Sequence, residues 1–295
     1  MTRLVPWLSR VRHGQARVRD AVWMPEADVI EWLRARCQEF EFDVSGVFRR
    51  RGDHAWPFGA IDPLDLEAKL LAGGHLLPLP REPAALANVL EVAIVDHLLA
   101  AVEEDETVVA RRGSERGYPD LELGGDRFGG GFHAVDVKVA RRDDNPVRTR
   151  SRITLYTGNT YFRWPQLHWP GTLRAFVDYE SHLDLLVIYS FLPDVPSRVA
   201  NLELIVQPSW RIASKQRSST TREYIGAVDV IEDLRGGRGE FDTPQAFYAY
   251  WRAFPFRISQ QVQRQLDRLI RQQQARITEL EARPTVDGRD DEHPS

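Results

Sequence analysis

The sequence predicts an α/β protein of the mixed α+β kind, a mixed sheet flanked by helices. Three observations carry this. The chain has 295 residues, 42% hydrophobic and 28% charged, which are ordinary globular values and enough to bury a core. Two segments of alternating polarity, GYPDLEL (residues 117–123) and FHAVDVKVA (132–140), flank a stretch rich in glycine, the pattern of a hairpin. A strongly apolar helical segment (84–101) stands just upstream, with Leu86, Val89, Leu90, Val92, Ala93, Val95, Leu98 and Leu99 covering much of its surface, as in a largely buried helix.

The remaining elements follow in order. Residues 1–24 are basic and aperiodic, and read as an N-terminal arm. Residues 25–40 predict a helix, with Pro25 and Glu26 in its first turn and Val29, Ile30, Leu33 and Cys37 on one face. FDVSGVF (42–48) alternates like a strand, residues 49–53 make a charged turn, and Asp62-Pro63 starts a helix that continues over 64–71. The acidic run 103–106 ends the apolar helix. After the hairpin, residues 141–152 are a polar loop, and ITLYTGNTYF (153–162) is strand-like and then turns. Residues 173–192 predict a helix running into a strand (LLVIYSFL). Strands are expected over 202–206, 210–213 and 224–231, with a loop over 214–222. Residues 243–254 predict a helix with Asp242 and Thr243 available as N-cap and an aromatic face formed by Phe247, Tyr250, Trp251 and Phe254. A long Gln/Arg-rich helix with a thin apolar stripe follows over 258–280. The domain reading is an arm (1–24), one main domain (25–257), a C-terminal helix (258–282) and a disordered tail (283–295).

Charge and cysteine content narrow the function classes. The net charge of −4 argues against a generic coat for nucleic acid, but not against local basic surfaces. A single cysteine, Cys37, excludes a disulfide framework and a Cys-rich zinc site, so a reducing cytoplasm is expected. No secretory leader is recognisable, and no apolar run approaches the roughly 18 residues of a membrane span, so no membrane partner is expected. Three of the 39 basic residues are lysine: Lys69, Lys138 and Lys215.

The hairpin holds the chemistry. Asp120 follows Pro119 at the start of one strand, and Asp136 and Lys138 lie two apart on the next. Residues i and i+2 of a strand face the same side, about 6–7 Å apart. A short hairpin brings Asp120 beside that pair. Two converging carboxylates repel, and a divalent cation relieves the repulsion. Mg²⁺ takes carboxylates, water and phosphate oxygens, and a backbone carbonyl, here that of Val137, can join them. A lysine two residues on positions an attacking water and steadies phosphate charge. The set suits hydrolysis of a phosphodiester, although PD followed by (D/E)xK alone is a weak pattern whose plain alternative is an edge hairpin with surface charges. Glu91, between Leu90 and Val92 on the apolar helix, reads as a helix-surface acid or as a further acid of this site. Glu122 shares the face of Asp120 and reads as a solvated strand charge or as a further member of the site.

The loop 214–222 (SKQRSSTTR) is basic and free of acid. It combines Lys215, Gln216, Arg217 and Arg222 with the hydroxyls of Ser214, Ser218, Ser219, Thr220 and Thr221, residue types that contact phosphates and base edges. Read alone, it is a solvated turn. Loop 141–152 is also arginine-rich, and RRGSER (111–116) precedes the first strand of the hairpin. His133, His168 and His182 lack metal-ligand spacing and read as structural. Tyr161, Phe162, Trp164 and Trp169 read as packing. The sequence has no P-loop, GxSxG or GxGxxG.

Several segments, in order, resemble the EcoRV family of type II restriction endonucleases. They are FDVSGVF (42–48), WPFG (56–59), YPDLEL (118–123), AVDVK (134–138), TLYTGNTYFR (154–163), the Tyr179/His182/Tyr189 pattern, WRIAS (210–214), IGAV (225–228) and GEFDTPQAFYAYWRAF (239–254). The resemblance spans residues 42–254. It implies the PD-(D/E)xK restriction-endonuclease-like fold in a homodimer of the bacterial cytoplasm. It implies Mg²⁺ as cofactor, with Mn²⁺ as a substitute, and double-stranded DNA with a short palindromic site as substrate. Asp120, Asp136 and Lys138 match the family's catalytic triplet, and Glu91 matches its upstream acid by element and spacing. Residues 214–222, from Lys215 to Arg222, fall where the family's major-groove recognition loop lies. Ser114 and Arg116 fall in a shorter minor-groove loop, and Thr160 and Arg163 in a phosphate-contacting segment. The chain departs from the pattern at Ser218-Ser219-Thr220-Thr221-Arg222, where the family is richer in glycine and asparagine, and at Val139-Ala140, where it has hydroxyl residues. A low-specificity repair nuclease and a catalytically silent DNA-binding protein on the same scaffold remain as alternatives at this point.

Overall fold

The computed structural model describes residues 25–42, 61–65, 67, 82–114, 117–192 and 197–281. The N-terminal arm, most of the FDVSGVF strand, the 49–53 turn, the WPFG segment, most of the 64–71 helix, Arg116 and the C-terminal tail lie outside the described residues.

A mixed five-stranded sheet forms the frame. Its strands are β1 (Val109–Arg112), β2 (Leu121–Gly124), β3 (Phe132–Arg141), β5 (Ser181–Phe191) and β6 (Val199–Pro208), in that spatial order. The β3–β5 pair is parallel and the other pairs are antiparallel. Helices α1 (Pro25–Gln38) and α2 (Pro83–Glu103) cover one face. Leu86, Leu90, Ile94 and Leu98 of α2 are fully buried in one core with Val135 and Val137 of β3 and Leu183, Leu185 and Val187 of β5. Burial of each such side chain contributes about 1.5–3 kcal/mol, so α2 is held by packing.

The other face carries a second core and a smaller antiparallel sheet, ordered β4 (Thr154–Thr157), β8 (Tyr224–Ala227), β7 (Ala213–Arg217). Ala134 and Ala140 of β3 and Leu186 and Ile188 of β5 face this side. Short helices α3 (Gly158–Tyr161), α4 (Ser209–Ile212) and α5 (Ile231–Gly236) link the strands. Helix α6 (Pro244–Ala253) starts as expected, with the Thr243 hydroxyl accepting the N–H of Ala246 and Pro244 in the first turn, and it buries Phe247 and Trp251. Helix α7 (Gln260–Glu281) docks through Val262 and Leu266 on Trp169.

Four sequence expectations are corrected here. Residues 173–180 are not helical beyond one 3₁₀ turn at Phe176–Asp178, and the strand begins at Ser181. Residues 183–188 are apolar except for Asp184 because β5 is buried on both faces, so periodicity cannot separate helix from strand there. Trp210 belongs to the turn of α4 and not to a strand, and residues 231–236 are helical. The loop expected over 214–222 begins as strand β7. Helix α2 does have the length and apolar composition of a membrane span, contrary to the reading of the sequence, but its apolar face is spent on the sheet.

Candidate active site

The acidic centre stands where β2, β3 and β5 meet. Asp120 lies just before β2, whose pairing sets Leu121 opposite Val135. Two backbone contacts fix it. The Asp120 carbonyl accepts the N–H of Gly113 at 2.8 Å, and its Oδ2 accepts the N–H of Val137 at 2.7 Å. Gly113 packs so closely that a Cβ there would lie 1.8 Å from the Pro119 carbonyl oxygen, so any side chain at 113 would displace the Pro119-Asp120 turn. Asp136 is buried on β3, and the Lys138 Nζ sits 2.6 Å from its Oδ2.

The electrostatics show an excess of negative charge. Burial, followed by repulsion from Asp136, pushes the Asp120 carboxyl up to about 8, against the opposing pull of Lys138 and the Val137 N–H. Burial disfavours the Lys138 ammonium, but attraction to Asp136, Asp120 and Asp184 outweighs it and lifts Lys138 above its usual value. Lys138 is therefore a firmly protonated cation. Glu91, half-buried on α2, is raised by burial, an effect that the Lys138 charge opposes and the Asp136 charge adds to.

Sequence reasoning missed Asp184. It is the register partner of Asp136 on β5 and is fully buried. Burial, then Asp136, pushes it up to about 7, opposed by Lys138 and the nearby Ser209 hydroxyl. A signal was present in the sequence: one acid in the otherwise apolar run 183–188, a position where unpaired charge is costly.

Glu122 corrects the expectation of a solvated charge. It is buried and receives the Arg174 guanidinium at 2.7 and 3.2 Å and the Tyr179 hydroxyl at 3.1 Å. It is a satisfied structural acid on the same sheet face as the Asp136–Lys138 pair, opposite Ala134, with its charge met by Arg174. The histidines are also engaged. His182 meets the Tyr118 hydroxyl at 2.6 Å and stacks on Phe176, His133 meets the Ser181 hydroxyl at 2.8 Å, and His168 meets the Thr172 carbonyl at 2.8 Å.

The basic segment 214–222 forms the β7–β8 hairpin. Arg217 is tied to Glu223 at 2.8 Å, and Gln216 accepts from Arg152 at 2.9 Å. Ser218 bonds Thr154 at 2.7 Å, and the Glu240 carboxylate accepts from the Ser214 hydroxyl and the Lys215 N–H. Ser219 closes the turn by accepting the N–H groups of Thr221 and Arg222. Lys215, Thr220, Thr221 and Arg222 are exposed, and Arg222 lies against Tyr224. Ser114 is exposed and donates to the Gly171 carbonyl at 3.1 Å, while Thr160 is half-buried on α3 with Arg163 exposed just beyond it.

A family model described as Restriction endonuclease EcoRV matches residues 53–274, three quarters of the chain and the whole of this site. The chain belongs to the EcoRV restriction endonuclease family. It is accordingly a DNA endonuclease, a hydrolase, and the fold described above is that of an EcoRV-like nuclease. No curated protein matches the chain.

The metal that EcoRV-like nucleases generally require can be tested against these residues. No three His, Cys, Asp or Glu side chains among the described residues make a ready cation cage. Asp120 and Asp136 nevertheless fit a Mg²⁺ that keeps part of its water shell: two oxygen donors, too close for both to ionise freely. The Val137 carbonyl follows Asp136 on the same strand.

Proposed function

We propose that this chain is a type II enzyme that cuts both strands of a short palindromic duplex site as a homodimer in the cytoplasm. The observation that carries this is the Asp120–Asp136–Lys138 constellation, with its raised Asp120 carboxyl and firmly protonated lysine, inside an EcoRV-family chain.

Asp120, Asp136 and the Val137 carbonyl hold the cation in this reading. When bound, Mg²⁺, or Mn²⁺ in its place, supplies Lewis-acid polarisation of the scissile phosphate and neutralises its charge. Lys138 orients the attacking water in line with the leaving oxygen, and its ammonium stabilises the charge that gathers on the phosphoryl oxygens. It acts as a cation and not as a base, because its carboxylate neighbours hold its proton. Glu91 tunes Lys138 from the helix side. The leaving oxygen takes its proton from a water at the site. The β7–β8 hairpin, from Lys215 through Arg222, enters the major groove, with Ser114 and Arg116 on the minor-groove side and Thr160 and Arg163 on the backbone. Arg222 and Lys215 are the cations most open to DNA.

Digestion of a long, defined, unmethylated duplex with and without Mg²⁺, followed by sequencing of the ends, tests this. Discrete Mg²⁺-dependent fragments whose ends share one palindromic sequence are expected. A Mg²⁺-dependent smear, or ends with no common sequence, would contradict it.

A further inference from the structure

Asp184 poses a problem that the assigned residues leave unsolved. It is fully buried, and neither carboxylate oxygen has a hydrogen bond of normal geometry; the Ser209 hydroxyl is close enough to favour its charge but donates elsewhere. The hydroxyls around it are spent elsewhere: Tyr156 donates to Ser209 at 2.6 Å, Ser209 donates to the His182 carbonyl at 3.1 Å, and Tyr118 is paired with His182 at 2.6 Å. Burying a carboxylate without hydrogen bonds is costly, and a charged partner that reaches it relieves the cost. The cation nearest in chemistry is the Lys138 ammonium. In a parallel pair about 4.8 Å apart, register partners share a face, so Asp184 and Asp136 point to the same side of the sheet, and Lys138, two residues on from Asp136, points there too.

Lys138 rests on Asp136 Oδ2, on the carboxylate that the proposed cation requires. The two positive charges compete for it. Asp184 offers two open oxygens on the next strand.

We propose that Asp184 is a positioning residue that receives the Lys138 ammonium when Asp136 takes up the divalent cation. Lys138 thereby stays in the centre as a protonated group, turned off its resting carboxylate, and Asp136 is freed without expelling the lysine to solvent. The exchange balances charge: before it, Lys138 neutralises Asp136 and Asp184 is orphaned; after it, the cation lies on Asp120 and Asp136 and Lys138 neutralises Asp184.

The inference rests on the metal reading of Asp120 and Asp136, and the test separates the two. Mn²⁺ affinity is measured by titration calorimetry and by the loss of free Mn²⁺ signal in electron paramagnetic resonance. The proteins are the full chain, D136N, D184N, K138M and K138M/D184N. In D184N the ammonium stays on Asp136 and competes, so Mn²⁺ affinity falls at least about tenfold. In the K138M background the competitor is gone, and D184N changes affinity by no more than about threefold, the residual effect of one distant charge. An equal fall in both backgrounds would make Asp184 a direct ligand or a bulk charge, and an unchanged affinity in D184N would make it a bystander; either overturns the proposal. Failure of the unmodified chain to bind Mn²⁺, or D136N binding as well as it does, would overturn the metal reading itself. Circular dichroism verifies the fold of each variant. If D184N does not fold, D184S, smaller and uncharged, replaces it with the same expected outcomes.

Discussion

The two faces that meet DNA in this account treat charge in opposite ways. At the acidic centre, Asp120 and Asp184 stand far above the usual carboxylate range, Lys138 must serve several acids, and Asp184 has no hydrogen bond of normal geometry. On the β7–β8 hairpin, Arg217 has Glu223, Gln216 has Arg152, the Lys215 N–H has Glu240, and the turn is closed by Ser219. The centre is frustrated and the hairpin is satisfied. The difference teaches where each binds. Under the proposed function the centre would gain by taking in a cation, whereas the hairpin would give up internal partners to reach bases, as a selective reader does.

Lys138→Met should break the frustrated side most severely. Loss of one preorganised charge at a reacting phosphate costs roughly 10²–10³ in rate, so single-turnover cleavage should fall by about that much while DNA retardation on a gel persists. Wild-type cleavage by K138M would sink the role given to the lysine.

On the hairpin, Arg222→Ala removes its most open arginine. With a lost bidentate base contact worth ~1–3 kcal/mol, binding to the preferred site should weaken about tenfold to a hundredfold in competition assays, with nonspecific binding changed less. Equal losses on all sequences would reassign Arg222 to the phosphate backbone.

Much of the fold was legible, and the reasons are local. Asp136 and Lys138 could be placed on one strand face because FHAVDVKVA alternates, and Thr243-Pro244 announced α6 because cap and first-turn chemistry are local. β1 was not legible: it is an edge strand whose sequence VARR is mostly exposed, so no apolar alternation marks it. Strand β5 was half legible, because burial on both faces erases the period and invited a helix over its entry. Asp120, Asp136 and Lys138 emerged from the hairpin. Asp184 stood out only as an acid in an apolar run, since its place at the centre lies in a parallel pairing across more than 40 residues of chain, and the Arg217–Glu223 tie also depends on a register that the loop reading did not contain.

The raised Asp120 carboxyl gives a pH signature. In the unfolded chain it ionises near the usual aspartate value of 3.8, and in the fold only at about 8. Between these values the folded state holds a proton that the unfolded state has lost. The Asp120 contribution to stability therefore falls as pH rises from about 4 to 8 and then levels off. Asp120→Asn lacks this term. Thermal unfolding of metal-free protein should show D120N gaining on the wild type across that window, and parallel pH curves would contradict the charge excess.

Glu223→Gln should have the smallest effect. It releases Arg217 from its 2.8 Å tie, so site choice should relax by a few fold while the cleavage rate on the preferred site changes little. Sequencing of cleaved ends from a randomised duplex library reads this, and tightened choice would show that the tie had been holding Arg217 away from a base.

The most direct test of the central claim is cleavage of a defined duplex in Mg²⁺ by wild type and D136N side by side, with EDTA as a third arm. The account predicts cutting by the wild type in Mg²⁺ alone, with none in EDTA and none by D136N while D136N still retards the duplex. Cutting by D136N at the wild-type rate, or cutting undiminished in EDTA, would contradict it.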